Sequence, residues 1–233
     1  MKIGLLGYGK MGKMIEQIAQ GRGHSIVARI DDPSQDVDYT SMDVAIDFST
    51  PEAAFDNITN CFKNNVPVIS GTTGWLDKYS EAIKICEDNK SAFIYASNFS
   101  LGVNIFFELN KQLAKMMGGL NQYKAAMEEI HHTQKLDAPS GTAITLAEGI
   151  IENTPYQEWK LDGSDDKIIP IKSVREGMVP GTHSITYESP VDSIEIKHEA
   201  HNREGFALGA VIASEWIQGK TGIFSMKDVL NLS

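Results

Sequence analysis

Short apolar runs alternate with helical patterns through the first hundred residues. Runs typical of buried strands occur at residues 2–6, 25–30, 43–49, 66–70 and 92–96. Between the first two runs, Met14, Ile15, Ile18 and Ala19 recur at the three- and four-residue spacing of an amphipathic helix. Alternation of strands with helices predicts an α/β fold, a Rossmann-type doubly wound parallel sheet.

The pattern changes after residue 100. An amphipathic helix begins at Asn104 and ends at the glycines of positions 118–119. Residues 167–174, 182–188 and 193–200 then look like strands without intervening helices, with apolar and polar positions alternating as in an open antiparallel or mixed sheet. A polar stretch, residues 153–166, is predicted as a long loop, and a helix returns at Phe206.

This change predicts two domains. Residues 1–103 and 207–233 form the dinucleotide-binding domain in this prediction. Residues 104–206 form an inserted α+β domain for substrate binding and oligomerisation, because an open sheet often finds cover in a second subunit.

A glycine motif follows the first predicted strand and begins the first predicted helix. Gly7, Gly9 and Gly12 have the GxGxxG spacing: Gly7 permits the tight turn, Gly9 admits a pyrophosphate, and Gly12 allows close helix–strand packing. The second strand ends at Asp31, where an acid can bind ribose hydroxyls. The combination predicts dinucleotide binding; the alternative is a structural glycine-rich turn.

Charges near this motif bear on the choice of dinucleotide. Asp31 and Asp32 repel a 2′-phosphate and favour NADH, whereas Arg29 and Lys10 act in the opposite direction. A second small turn, Gly71 to Gly74, follows the fourth strand, where parallel sheets bind ligands; a plain turn is the alternative.

Composition narrows the range of partners. A net charge of -10 with no run of Lys or Arg argues against nucleic acid and anionic membranes. We find no apolar stretch near the roughly 20 residues of a membrane span, and no signal-peptide pattern. The two cysteines, Cys61 and Cys86, are expected to be buried free thiols in a reducing compartment, the cytoplasm.

The run from Glu128 to Ala143 carries the candidate chemistry. His131, His132 and Lys135 bring two imidazoles and an ammonium together, on one face if the run is helical and in alternation if it is extended. Imidazole suits proton transfer near neutral pH, and ammonium binds carboxylates. Adjacent surface histidines are one alternative; a metal site is not predicted, because no spaced third ligand is evident.

A predicted helix begins directly after this run. Ser140 is a candidate N-cap, and the N–H groups at Gly141 and Thr142 can hold an anion. A simple helix cap also explains Ser140. Together, the cations and this helix start predict a site for a small acidic substrate. His183, His198 and His201 are assigned no chemistry. Arg175 and Arg203 can each pair with a substrate carboxylate; a structural salt bridge is the alternative.

At these residues the chain closely resembles the 4-hydroxy-tetrahydrodipicolinate reductases, also called dihydrodipicolinate reductases, of the diaminopimelate route to lysine. The resemblance runs nearly end to end, and its most specific part is the stretch from His131 to Thr142. Two departures concern the cofactor: the glycine loop is one residue shorter than in many members, and no Arg follows Asp31.

The resemblance implies the following roles. His131 is a proton donor and acceptor and Lys135 a second proton donor. Substrate contacts are implied at His132, Ser140, Gly141 and Thr142. Cofactor contacts are implied at Gly7, Tyr8, Gly9, Lys10, Met11, Gly12, Asp31, Gly71, Thr72, Thr73, Ser97, Asn98, Phe99 and Ser100.

The family reaction is reduction of 4-hydroxy-tetrahydrodipicolinate, a small dicarboxylate, to tetrahydrodipicolinate with loss of water. The resemblance implies NADH or NADPH as cofactor, with NADH favoured by the acids above, and a homotetramer. Two rival functions remain at this point: an NAD-dependent dehydrogenase of another small imino or amino acid, and a non-catalytic NAD(H)-binding sensor.

Overall fold

The computed structural model describes residues 1–32, 35, 37–163 and 165–232. The chain forms two units, residues 1–101 with 204–233 and residues 102–203. The roles predicted for residues 1–103 with 207–233 and for 104–206 stay a prediction. Ser164, in the predicted loop, and Ser233, at the end of the first predicted domain, lie outside the described residues.

The elements are numbered in chain order. The strands are β1 Lys2–Leu6, β2 Ser25–Ile30, β3 Val44–Asp47, β4 Val68–Ser70, β5 Ala92–Tyr95, β6 Lys124–His131, β7 Glu158–Leu161, β8 Ile168–Arg175, β9 Gly181–Glu188, β10 Ser193–Ala200 and β11 Gly222–Phe224. The helices are α1 Lys10–Gly21, α2 Pro51–Lys63, α3 Tyr79–Asp88, α4 Leu101–Met117, α5 Gly141–Ile151, α6 Glu204–Trp216 and α7 Met226–Leu230.

The first unit contains a six-stranded parallel sheet in the order β11-β5-β4-β3-β1-β2. Successive side chains of a strand point to opposite faces, so both faces need apolar cover. Ile3 and Leu5 belong to a core with α1 and α6, whereas Val68 and Phe93 belong to a core with α2 and α3. Helices on both faces confirm the predicted doubly wound sheet.

The second unit contains a five-stranded mixed sheet in the order β10-β9-β6-β8-β7. β6 pairs antiparallel with β9 and parallel with β8. On one face, Ala125 and Met127 of β6 pack in an apolar core with α4 and α5. Further along β6, the same alternating positions are occupied by Glu129 and His131, so this face changes from apolar to polar at one end of the sheet.

Two short strands were not predicted. β7 lies inside residues 153–166, so the prediction of one long loop there was wrong, and β11 occupies Gly222–Phe224. Each strand is very short, and in β7 only Trp159 is half-buried between exposed neighbours. Such strands carry too little hydrophobic alternation to be recognised from sequence.

The two cysteines are buried and unbonded, as predicted. Burial raises the pKa of Cys86 to about 12. Among the described residues, the helices are all too short or too polar to cross a lipid bilayer.

Candidate active site

The glycine loop of the first unit lies between β1 and α1. Gly7 has φ +93°, and a Cβ there would overlap the backbone of Phe48, so the position requires glycine. A Cβ at Gly12 would overlap the carbonyl of Gly7, which confirms the predicted close packing. At Gly9 a Cβ would meet nothing within 4 Å, because this glycine faces open space.

The open space beside Gly9 belongs to a cavity of about 220 Å³. Gly7, Gly9, Asp31 and Phe48 are among its lining residues. Gly9 precedes α1 without a side-chain cap, so the first N–H groups of α1 can receive a phosphate. These observations fit a dinucleotide, with the ribose hydroxyls near Asp31.

Tyr8 is held by two acidic residues. Its backbone N–H donates to Oδ1 of Asp31 at 3.0 Å, and its hydroxyl donates to Glu16. One carboxylate oxygen of Asp31 therefore fixes the glycine loop to the end of β2.

The other predicted cofactor residues follow β4 and β5. Thr72 accepts the backbone N–H of Ser49 at 2.9 Å, and Asn98 accepts that of Ser100 at 2.9 Å. The predicted cofactor residues thus all lie beyond the carboxyl ends of β1, β2, β4 and β5, or in the first turn of α1. Lys10, Met11 and Gly12 are in that first turn.

A polar cluster occupies the end of the covered sheet face in the second unit. In the register of the sheet, Glu129 lies between Ser173 of β8 and His183 of β9. His131, two residues on and at the end of β6, pairs with Arg175. Because aligned residues of neighbouring strands share a face, these five side chains converge.

Glu129 is fully buried at the centre of this cluster. Its carboxylate accepts hydrogen bonds from the Ser173 hydroxyl at 2.7 Å, the Ser140 backbone N–H at 3.0 Å and Arg175 Nη2 at 3.2 Å. Burial alone raises the pKa of Glu129, but the neighbouring His183 imidazole and the hydrogen bonds from Ser140 and Ser173 together hold it well below its usual value. Glu129 is therefore a buried carboxylate ion.

His131 is also buried, and its Nδ1 has no hydrogen-bond partner. Burial is the main cause that lowers the pKa of His131 to about 4; His183 lowers it further, Glu129 opposes, and Lys135 and Arg175 add to the lowering. His131 is therefore neutral near pH 7 in this state.

Lys135 lies in the loop between β6 and α5. Its ammonium donates to both carboxylate oxygens of Asp137, at 2.8 and 2.9 Å. His132, in the same loop, is half-buried, and its carbonyl accepts the Lys135 N–H at 3.1 Å. The run is thus a strand end followed by a turn, so neither the helical nor the extended geometry considered from sequence continues to Lys135.

Ser140 caps α5, because its hydroxyl accepts the backbone N–H of Ala143 at 3.2 Å. The same oxygen lies 3.1 Å from Nε2 of His183. Gly141 is exposed and Thr142 half-exposed at the start of the helix, where N–H groups are available to an anion.

Sequence reasoning missed three members of this cluster. Glu129 was part of the run that drew attention but had no role, His183 was assigned no chemistry, and Ser173 was not considered. Arg175 forms a structural salt bridge with Glu129, which was one of the two alternatives for this residue. Glu129, His131 and His183 bring one ligand atom each within 4.8 Å of one another. We assign no metal to them, because Arg175 already neutralises Glu129; the absence of a metal stays a prediction.

Comparison with known proteins identifies the family. The model of the dihydrodipicolinate reductase N-terminus matches residues 1–99, and that of the C-terminus matches residues 102–230. The chain belongs to the dihydrodipicolinate reductase family. A 4-hydroxy-tetrahydrodipicolinate reductase of Christiangramia forsetii is 60% identical over 99% of this chain and 98% of the relative. One of Thermosipho africanus is 35% identical with the same coverage.

A solved structure supports the fold. The dipicolinate-bound dihydrodipicolinate reductase from Paenisporosarcina sp. TG-14 superposes with a TM-score of 0.78 at 24% identity, covering 100% of this chain and 99% of the other. The predicted family, fold class and enzyme class are confirmed. As a member of the dihydrodipicolinate reductase family, the chain is an NAD(P)H-dependent oxidoreductase with a pyridine nucleotide cofactor.

Proposed function

We propose that this chain reduces 4-hydroxy-tetrahydrodipicolinate to tetrahydrodipicolinate, with loss of water, in lysine biosynthesis, and that it prefers NADH. The relatives above carry the name of this reaction. The observation that carries the proposal is the cationic cluster beside the start of α5. The Lys135 ammonium, which is held by Asp137 of the same loop, and the N–H groups at the start of α5 can bind the two carboxylates of the ring.

The chain's own residues supply binding and proton transfer in this proposal. His132, Ser140, Gly141 and Thr142 bind a substrate carboxylate. His131 and Lys135 handle the protons that accompany departure of the 4-hydroxyl as water and reduction of the conjugated imine. A dianionic ring near His131 favours the imidazolium, so substrate binding converts the neutral imidazole into a proton donor.

The cofactor site belongs to the first unit in this proposal. The cofactor supplies a hydride when it is bound. Its contacts are proposed at Gly7 to Gly12, Asp31, Gly71 to Thr73 and Ser97 to Ser100. Asp31 and Asp32 oppose a 2′-phosphate, and Arg29 is engaged with Glu16, which together favour NADH.

A coupled assay tests the function. Freshly generated 4-hydroxy-tetrahydrodipicolinate is supplied with NADH or NADPH, and oxidation of the cofactor is followed by absorbance. We expect turnover with both and a higher kcat/KM with NADH. 2,6-Pyridinedicarboxylate, a planar analogue with the same two carboxylates, should compete with the substrate. No oxidation with either cofactor contradicts the proposed reaction, and no competition contradicts a dicarboxylate site.

We also infer a homotetramer in the cytoplasm. The outer strand β10 is largely exposed, and Ile194 is among its exposed apolar side chains. Free buried thiols suit a reducing compartment. Light scattering coupled to size exclusion tests the assembly, and cell fractionation tests the location.

A further inference from the structure

Glu129 is connected to both groups proposed to transfer protons. One side of its carboxylate faces the imidazoles: Oε2 lies 3.6 Å from Nδ1 of His131 and 3.7 Å from Nε2 of His183. The other side faces the guanidinium, with Oε1 at 3.2 Å from Nη2 of Arg175. A single fully buried carboxylate thus stands between two imidazoles and an arginine.

Arg175 extends this connection to the loop that carries Lys135. Its Nη2 also donates to the carbonyl of Asp137 at 2.6 Å, and its Nε donates to the carbonyl of Lys135 at 3.3 Å. The guanidinium therefore ties the loop backbone, on both sides of Leu136, to the buried carboxylate. Leu136 itself is 97% exposed, so side-chain packing does not hold the loop at this point.

The buried Nδ1 of His131 points to the same carboxylate. Nδ1 has no hydrogen-bond partner, and the 3.6 Å to Oε2 of Glu129 is just beyond hydrogen-bond length. A small rotation of the imidazole closes this gap once the ring carries a second proton. On the other side of the ring, Gly181 leaves room: a Cβ there would lie 3.1 Å from Nε2 of His131.

We propose that Glu129 is a positioning residue that couples the two proton-transfer groups, orienting and stabilising the His131 imidazolium directly and holding the Lys135 loop through Arg175. This inference rests on the proposed function, because it takes His131 and Lys135 as the groups that transfer protons. In the proposed reaction Glu129 contacts neither substrate nor cofactor and acts through His131 and Arg175.

Electrostatics around His131 support this role. The charged or titratable groups that act on the imidazole are His183 of β9, Glu129 of β6, Arg175 of β8 and Lys135 of the loop. Of these, Glu129 alone favours the imidazolium. Removing its charge leaves groups that all disfavour protonation of His131.

The test is Glu129→Gln, which keeps the size and removes the charge. We expect kcat to fall on the order of tenfold or more with KM for NADH unchanged, since the variant affects proton transfer and not cofactor binding. The pKa of His131, followed by NMR of its imidazole in the free protein and in the complex with NADH and 2,6-pyridinedicarboxylate, should fall by about one unit. The kcat–pH profile should shift to lower pH.

Glu128→Gln is the matched control. Glu128 is the preceding residue on β6 and forms an exposed pair with Lys172 of β8 at 2.6 Å, on the opposite face of the sheet. The control should leave kcat, the pH profile and the pKa of His131 unchanged. Loss of kcat in Glu129→Gln without a change in the pKa of His131 or in the pH profile would overturn the proposal, since that result indicates only a structural role.

Milder variants keep the inference testable if Glu129→Gln does not fold. Ser173→Ala removes one hydrogen bond to Glu129, and Arg175→Lys breaks the fork that joins Glu129 to the loop. Both loosen the position of Glu129, so both should lower kcat and displace the kcat–pH profile, by smaller amounts than Glu129→Gln. Unchanged profiles in both would also overturn it. Should the wild-type protein fail to turn over, the proposed function fails, while the NMR titration still measures the coupling of Glu129 to His131.

Discussion

Arg29 donates hydrogen bonds to both carboxylate oxygens of Glu16. Its Nε lies 2.9 Å from Oε2, and its Nη2 contacts Oε1. The Tyr8 hydroxyl and Gln20 also donate to Glu16. Hydrogen bonds from Arg29 and then Tyr8 lower the pKa of Glu16 to about 2, so the carboxylate is ionised and neutralises the guanidinium.

This pair leads to a prediction on cofactor choice. Glu16→Gln weakens the hold on Arg29 and leaves its charge uncompensated near the ribose site, which favours a 2′-phosphate. We expect the ratio of kcat/KM for NADPH to that for NADH to rise by roughly threefold to tenfold, a change of about 1 kcal/mol. Initial rates with the two cofactors measure it.

Glu215→Gln is the control for that change. Arg22, directly after α1, makes a similar two-bond pair with Glu215 of α6, at 2.7 and 2.8 Å. This pair lies at the C-terminal end of α1, the opposite end from the glycine loop, so this variant should keep the wild-type cofactor ratio. An equal shift in both variants would contradict the assignment to Arg29.

A second prediction separates two glycines of one loop. Gly9→Ala places a methyl group in open space, so the melting temperature should stay within about 2 °C, but the methyl intrudes on the proposed pyrophosphate position. We expect the Kd for NADH to rise about tenfold or more. Fluorescence titration with NADH measures it.

Gly7→Ala, in contrast, should lower the stability of the folded protein. Its φ of +93° and the overlap with Phe48 predict a loss of about 2 kcal/mol or more in the free energy of unfolding. Unchanged NADH binding in Gly9→Ala would show that the cofactor does not approach this glycine.

A third prediction concerns Lys135. Lys135→Ala should lower kcat on the order of a hundredfold, because a proton donor is lost, and leave the Kd for NADH within about twofold. Its ion pair with Asp137 is local and partly exposed, so stability should change by less than about 1 kcal/mol. Lys160→Ala, which removes an exposed ion pair with Glu158, is the control and should keep the wild-type kcat. Wild-type turnover in Lys135→Ala would remove Lys135 from the mechanism.

A fourth prediction follows from the buried imidazole of His131. Its pKa of about 4 in the folded state is below the unfolded value near 6.5, so the unfolded state binds more protons between these pH values. The free energy of unfolding should therefore decrease as the pH is lowered through this window. This group alone should contribute a loss of about 2 kcal/mol between about pH 7 and pH 5. Urea unfolding of the wild type and of His131→Gln gives the difference; equal slopes with pH in the two proteins would refute it.

The glycine loop and the elements around it were largely predictable because their signals are contiguous. A strand, three glycines, a helix and an acid all fall between residues 2 and 31, and local geometry dictates the arrangement. The Ser140 cap and the strands β8, β9 and β10 were likewise visible in local pattern.

The polar cluster was only half predictable, because it depends on strand pairing across the chain. Glu129 meets His183 through the register of β6 with β9, and Ser173 through that of β6 with β8. One part of the cluster is visible in the sequence. Glu129 and His131 are two residues apart and continue an apolar alternation on β6, and Ser173 and Arg175 do the same on β8. That spacing places each pair on one face, but only the pairing of strands brings the faces together.

The interruption of the first unit has a consequence for synthesis on the ribosome. Residues 102–203 are contiguous and can begin to fold as soon as they emerge. The parallel sheet is completed later, because β5 receives its outer neighbour β11 only after residues 222–224 have been translated. Truncation before Gly222 therefore exposes an unpaired sheet edge, and nascent chains stalled there are prone to aggregate.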